Sequence, residues 1–101
     1  MRLSALEKAG IIQVLGGLGE LYLCGSRVDD SQAGGDIDLL LIVRGDTPDK
    51  RKALLARKHF LLSELKGLIG DQRIDLTLST SAMISTDPVL QSIRASAIRL
   101  T

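Results

Sequence analysis

Apolar side chains recur along this chain with two different spacings, helical and alternating. Across residues 3–16, Leu3, Leu6, Ile11, Val14 and Leu15 return at roughly helical intervals, with Glu7, Lys8 and Gln13 on another face. That spacing predicts an amphipathic helix. Gly10 falls inside it and weakens it by about 1 kcal/mol relative to alanine, so the helix must rely on packing. Gly16, Gly17 and Gly19 end it. A dinucleotide-binding glycine fingerprint follows a strand and opens a helix; this cluster follows a helix and opens a strand, so it reads as a helix stop.

Leu21, Tyr22, Leu23 and Cys24 form a first predicted strand, and residues 36–43 a second. The second is apolar on both faces beyond its acids, with Ile37, Leu39, Leu41 and Val43 against Leu40 and Ile42, the pattern of a central strand. About eleven residues, 25–35, separate the two strands. A parallel pairing needs a crossover of a dozen or more residues, usually with a full helix. The two strands are therefore expected to be antiparallel neighbours, with room for only a short helical turn after Ser26.

Gly45, Asp46, Thr47 and Pro48 start a second helix, with Thr47 as N-cap and Pro48 in the first turn. One continuous helix is expected to about Lys66, burying Leu54, Leu55, Leu61, Leu62 and Leu65. Lys50, Arg51, Lys52, Arg57 and Lys58 make its other side basic, which reads first as a solvated surface. Residues 73–79 alternate, with Ile74, Leu76 and Leu78 facing one way and Arg73, Asp75 and Thr77 the other. The long helical connection before them allows a third strand parallel to the second. Ser85, Thr86, Asp87 and Pro88 cap a last helix whose apolar face is Val89, Leu90, Ile93, Ala97 and Leu100. The predicted fold is α/β (α+β): a small mixed sheet of three strands or slightly more, flanked by helices, in the order αβ(short α)βαβα.

Length and composition narrow this further. At 101 residues the chain supports one core and one domain spanning 1–101. Hydrophobic residues make up 45% and aromatics 2%, so a base-stacking nucleic-acid binder is not favoured. A net charge of +1 gives no general basic character for nucleic-acid backbones either. One cysteine, Cys24, excludes an internal disulfide, and with one histidine, His59, no Cys/His zinc site can be assembled. His59 reads as a surface or half-buried side chain, and Cys24 as a small buried strand residue. The first residues lack a signal-peptide core, and the longest apolar run, residues 39–43, is far short of a membrane span. The expectation is a soluble, cytoplasmic protein.

The candidate chemistry lies where the second strand begins. Asp36 and Asp38 are separated by one residue; in an extended strand they project from one face, roughly 6.5–7 Å apart. Burying such charges without a partner costs several kcal/mol, and a divalent cation is a fitting partner. If the second and third strands are parallel neighbours about 4.8 Å apart, Asp75 approaches both. Three close carboxylates do not all remain charged and unpaired. Hard, oxygen-preferring Mg²⁺ resolves the conflict, using one or two carboxylates plus substrate phosphates. Gly25 and Ser26 reach the same edge, where glycine admits close backbone approach to a phosphate and the amides of a turn point at the anion. A purely structural role competes for the serine: Ser26-x-x-Asp29 also fits a capping box.

Gly25-Ser26, nine intervening residues, Asp36-Ile37-Asp38 and the later apolar-flanked Asp75 resemble the minimal nucleotidyltransferases of the DNA polymerase β-like superfamily. The likeness covers nearly the whole chain, including the final Asp87-Pro88 helix. It implies two Mg²⁺ ions at Asp36, Asp38 and Asp75, and a nucleoside triphosphate, ATP above all, held by Gly25 and Ser26. It further implies attack by an acceptor hydroxyl on the α-phosphate, with Asp75 helping to deprotonate it, and Arg27 neutralising phosphate charge. Relatives often carry another basic residue after that arginine; here stand Val28, Asp29 and Asp30, two extra acids that either weaken triphosphate binding or point to solvent. With no second domain for the acceptor, the resemblance implies a partner, either a HEPN-domain protein for which the chain is the antitoxin, or a second copy. A competing class keeps the fold without catalysis, as an interaction or antitoxin module. A glycosyltransferase using Asp-x-Asp needs a larger nucleotide-binding domain than this chain builds.

Overall fold

A computed structural model of the chain describes residues 1–29 and 35–101. The order is α1 (Ala5–Leu15), β1 (Gly19–Cys24), β2 (Ile37–Val43), α2 (Pro48–Leu55), α3 (Lys58–Ile69), β3 (Ile74–Ser79), α4 (Ser81–Thr86), α5 (Pro88–Ser96) and β4 (Ile98–Arg99). Single 3-10 turns, Gly16–Leu18 and Gly25–Val28, flank β1. The strands form one mixed sheet in the order β3-β2-β1-β4. As the connection lengths require, β1 and β2 are antiparallel and β2 and β3 parallel. The expected mixed sheet flanked by helices is the fold observed.

Alternation along the strands gives the sheet two unlike faces. Leu21, Leu23, Ile37, Leu39, Leu41, Val43, Ile74, Leu76 and Leu78 point to one side, packed with Ile11 and Leu15 of α1, Leu54 of α2 and Leu61, Leu65 and Ile69 of α3. Tyr22, Cys24, Leu40 and Ile42 point to the other, where Ile84 of α4 and Leu90 of α5 meet them. Gly10 is explained by the first face. A Cβ there would lie 2.6 Å from Cγ2 of Ile69, so the missing side chain is what lets α1 and α3 approach. Ser4 opens α1 with a reciprocal capping box, its Oγ accepting from the Glu7 N–H and its own N–H donating to the Glu7 carboxylate.

Three expectations need correction. The second helix is two helices, broken at Ala56 and Arg57, where the Arg57 N–H reaches back only three residues to Leu54 O. The break lets α2 stay against β2 and β3 while α3 packs on α1. The last helix ends at Ser96; Leu100 is not in it, and Val89 is 66% exposed. The chain after it instead adds a fourth strand, with Ile98 and Arg99 beside Leu23 and Tyr22. Leu100 N–H then donates to Leu21 O, and Leu21 N–H to the Thr101 hydroxyl, anchoring the C-terminal residues along β1. Finally, β1, β2 and β3 each begin one or two residues from the expected position. Among the described residues no helix is long and apolar enough to cross a membrane.

Candidate active site

Register fixes the relation of the acids. Asp38 on β2 stands directly beside Asp75 on β3 and, across the other edge, beside Cys24 at the end of β1. Parallel and antiparallel neighbours thus bring the ends of three strands into one row, with Asp38 in the middle. Asp36 lies just ahead of β2 on the same side by strand alternation. Residue 75 alternates with buried Ile74 and Leu76 and is itself exposed. The third acid therefore faces the same way as the other two.

The electrostatics follow from this placement. Partial burial, then the charges of Asp75 and Asp36, push the Asp38 carboxyl above the usual carboxylate range. Cys24 is pushed up to about 11, by burial first and by Asp38 second. At neutral pH it is a thiol, in keeping with a packing role and not a nucleophilic one. Arg73 Nε approaches the Asp36 carboxylate at 4.0 Å, a long and largely exposed contact of small energetic weight.

Gly25 sits beside Asp38. Its φ is +71°, and a Cβ would collide with the Asp38 carboxylate. Both the left-handed backbone and the contact require glycine. The 3-10 turn Gly25–Val28 follows at once, opened by Cys24 with no side-chain cap. Ser26 lies inside that turn and not in front of it, so the capping-box reading of Ser26 and Asp29 is not the arrangement formed. Asp30 lies outside the described residues.

Arg27 points elsewhere. Its guanidinium donates to Arg2 O at 3.1 Å, to Gly35 O at 3.4 Å and to Gln72 Oε1 at 3.3 Å, and pairs with Glu7 at 3.5 Å. Only 14% of the side chain is exposed. The arginine ties the chain start, α1, the residue before Asp36 and the turn into β3 to one another.

Asp38, Asp75 and Gly25 line a cleft of about 360 Å³, together with Cys24, Leu40 and Thr77 from the sheet and Ser92, Ile93 and Ser96 from α5. Asp36, Ser26 and Arg27 are outside this lining. Sequence reasoning missed the hydroxyl residues: Thr77 follows Asp75 by one alternation, and Ser92 and Ser96 share a helix face at i and i+4. Among the described residues no three His, Cys, Asp or Glu side chains are already arranged as a metal cage. The donors nevertheless fit Mg²⁺ in kind. Asp38 and Asp75 are aligned hard oxygen donors carrying uncompensated like charge, and two carboxylates plus substrate phosphates are what that ion commonly takes. Compared with known proteins, the chain matches no family model and no curated protein sequence.

Proposed function

We propose that the chain is a Mg²⁺-dependent nucleotidyltransferase that moves a nucleoside monophosphate from a triphosphate, ATP above all, to a hydroxyl acceptor. One observation carries the reading: Asp38 and Asp75 are in direct register beside a glycine where no side chain fits, and all three line a 360 Å³ cleft. That volume is in the range of small-molecule sites, roughly 300–1,000 Å³. Asp36, Asp38 and Asp75 would hold the metal. When bound, Mg²⁺ supplies positive charge that offsets the triphosphate and polarises the reacting oxygens.

The remaining roles belong to the protein. Gly25 lets the β1 end approach the phosphates, and the Ser26 hydroxyl is a further donor to them. Asp75, the most exposed of the three, accepts the proton of the acceptor hydroxyl as its oxygen bonds to the α-phosphorus and the bond to pyrophosphate breaks. Ser92, Ile93 and Ser96 of α5 with Leu40 and Thr77 of the sheet offer an apolar and hydroxyl-bearing wall for the nucleoside. Arg27 is engaged in its own bonds, and we assign it to bracing the turn instead of to phosphate. The acceptor would come from a partner, and the resemblance favours a HEPN-domain protein with this chain as a cytoplasmic antitoxin.

Calorimetric titration of ATP with and without Mg²⁺, on the parent and on Asp38→Asn, tests the reading. Metal-dependent binding lost in the variant supports it; α-labelled ATP incubated with a lysate then identifies the acceptor class. Absence of metal-dependent binding in the parent would sink it. That result would leave a non-catalytic interaction module, favoured by the approach of Arg73 to Asp36, which supplies one acid with a protein cation.

A further inference from the structure

A second cleft opens at the far end of the sheet. The seven residues of β2, at about 3.3 Å each, carry the chain some 20 Å from the acidic row. Arg44 immediately follows the strand. With Lys50 of α2 and Arg57 between α2 and α3, it walls a cleft of about 460 Å³ whose apolar surface comes from Leu18, Val43 and Leu54. No acid lines it. Among the described residues no ion pair is found for any of these three cations; the pairs found include those of Arg27, Arg73 and Arg99.

The local charge is unusual for this chain. Between residues 44 and 58 lie six of its thirteen Lys and Arg but two of its twelve acids, four positive charges net in a chain of net +1. One of those two acids, Asp46, is occupied with the Ser81 N–H at 2.6 Å. The Lys50 stem is packed over the turn, where a Cβ on Gly45 would lie 3.2 Å from its Cγ. Three cations with no carboxylate partner among the described residues repel one another around one concavity, and a bound anion removes that penalty. The apolar floor adds a second requirement that a bare inorganic ion does not meet.

We propose that this cleft binds an organic phosphate, a small molecule whose phosphate groups meet Arg44, Lys50 and Arg57 while an apolar body covers Leu18, Val43 and Leu54. Guanidinium and ammonium donors suit phosphate oxygens, and the volume is that of a small-molecule site. A nucleic-acid strand is the less fitting occupant, because the cations ring a cleft lined by no aromatic side chain for bases to stack on. The site is independent of metal and of the acidic row.

The probe is ADP in excess EDTA at low salt, followed by amide NMR shifts on the parent, on Asp38→Asn/Asp75→Asn and on Lys50→Ala/Arg57→Ala. We expect one-to-one binding with shifts at Leu18, Arg44, Gly45 and Arg57, unchanged in the acid variant. The basic-cleft variant, whose replaced side chains are exposed, should bind at least about tenfold more weakly, as expected for lost charge-assisted bonds. Phenyl phosphate should bind the same residues and inorganic phosphate more weakly than either. No shifts at millimolar ADP, shifts centred on Gly25 and Asp38, or inorganic phosphate binding as well as ADP would each overturn the proposal. So would shifts produced by a single-stranded RNA oligomer alone.

Discussion

The two faces of the sheet are made by the same strands and do different work. On the side of α1, α2 and α3 the inward side chains of β1, β2 and β3 are aliphatic, and Leu21, Leu23, Ile37 and Leu41 have no exposed surface at all. On the side of α4 and α5 the apolar cover is smaller, and the row that begins with Tyr22, Leu40 and Ile42 ends in Cys24, Asp38 and Asp75. Folding needs apolar area removed from water, and one well-covered face supplies most of it. The other face is thereby free to carry like charges that oppose folding.

Core truncation should break this comparison most strongly if it is wrong. Leu41→Ala is expected to cost about 2–5 kcal/mol, a large part of a typical stability of about 5–15 kcal/mol. Leu90→Ala, at the thinner face and 9% exposed, should fall at or below the lower end of that range. Urea midpoints measure both, and equal losses would mean that the faces share the stability evenly.

Next in size is a change on the chemical face. Asp38→Asn should lower metal-dependent nucleotide transfer by about 10²–10³-fold, the scale of losing one principal electrostatic group. Its stability should hold or rise, since the replaced carboxylate is crowded by Asp75 and Asp36. Loss of stability together with activity would make the acids structural.

Arg27→Ala should do the reverse. Removing a largely buried donor to Gly35 O, Arg2 O and Gln72 leaves acceptors unsatisfied, at about 1–3 kcal/mol, and thermal unfolding should show it. Affinity for Mg²⁺-ATP at a temperature where the variant remains folded should stay near the parent value; a selective loss of affinity would return the arginine to the phosphates. Gly25→Ala is expected to lose about 1–2 kcal/mol from the left-handed backbone alone. It should also perturb the Asp38 carboxylate it would strike, so binding falls further than stability.

Much of this was legible before the structure because it depends on short-range rules. The alternation of residues 74–79, the eleven-residue link between the first two strands and the helical link to the third together place Asp75 beside Asp38. Other features depend on distant partners. The helix break at Ala56 and Arg57 has no glycine or proline to announce it, and arises where α2 and α3 pack on different elements. β4 is two residues long and exists by pairing with Tyr22 and Leu23. Arg27 bonds to residues eight, 25 and 45 positions away, which no local motif encodes. The capping box at Ser4 and Glu7 was missed in the sequence, although its Ser-x-x-Glu spacing announces it.

The smallest effect sharpens the comparison by its sign. In metal-free protein Asp38 has its folded pKa raised by burial and by its acidic neighbours. The folded state therefore holds that proton longer than the unfolded state, and stability falls as pH rises through and above the ordinary value of 3.8. Glu7 behaves oppositely: the Ser4 backbone N–H, above all, holds its carboxyl below the ordinary 4.5. Its contribution is complete above that value and is lost as pH falls through the folded pKa. Melting temperatures in EDTA from pH 7 downward should thus show Asp38→Asn above the parent and Glu7→Gln below it, with both gaps closing toward acid. If the two variants shift in the same direction at pH 7, the carboxylates on the two sides of the sheet are not in the contrasting environments described, and the crowding of Asp38 by Asp75 is not what sets its charge.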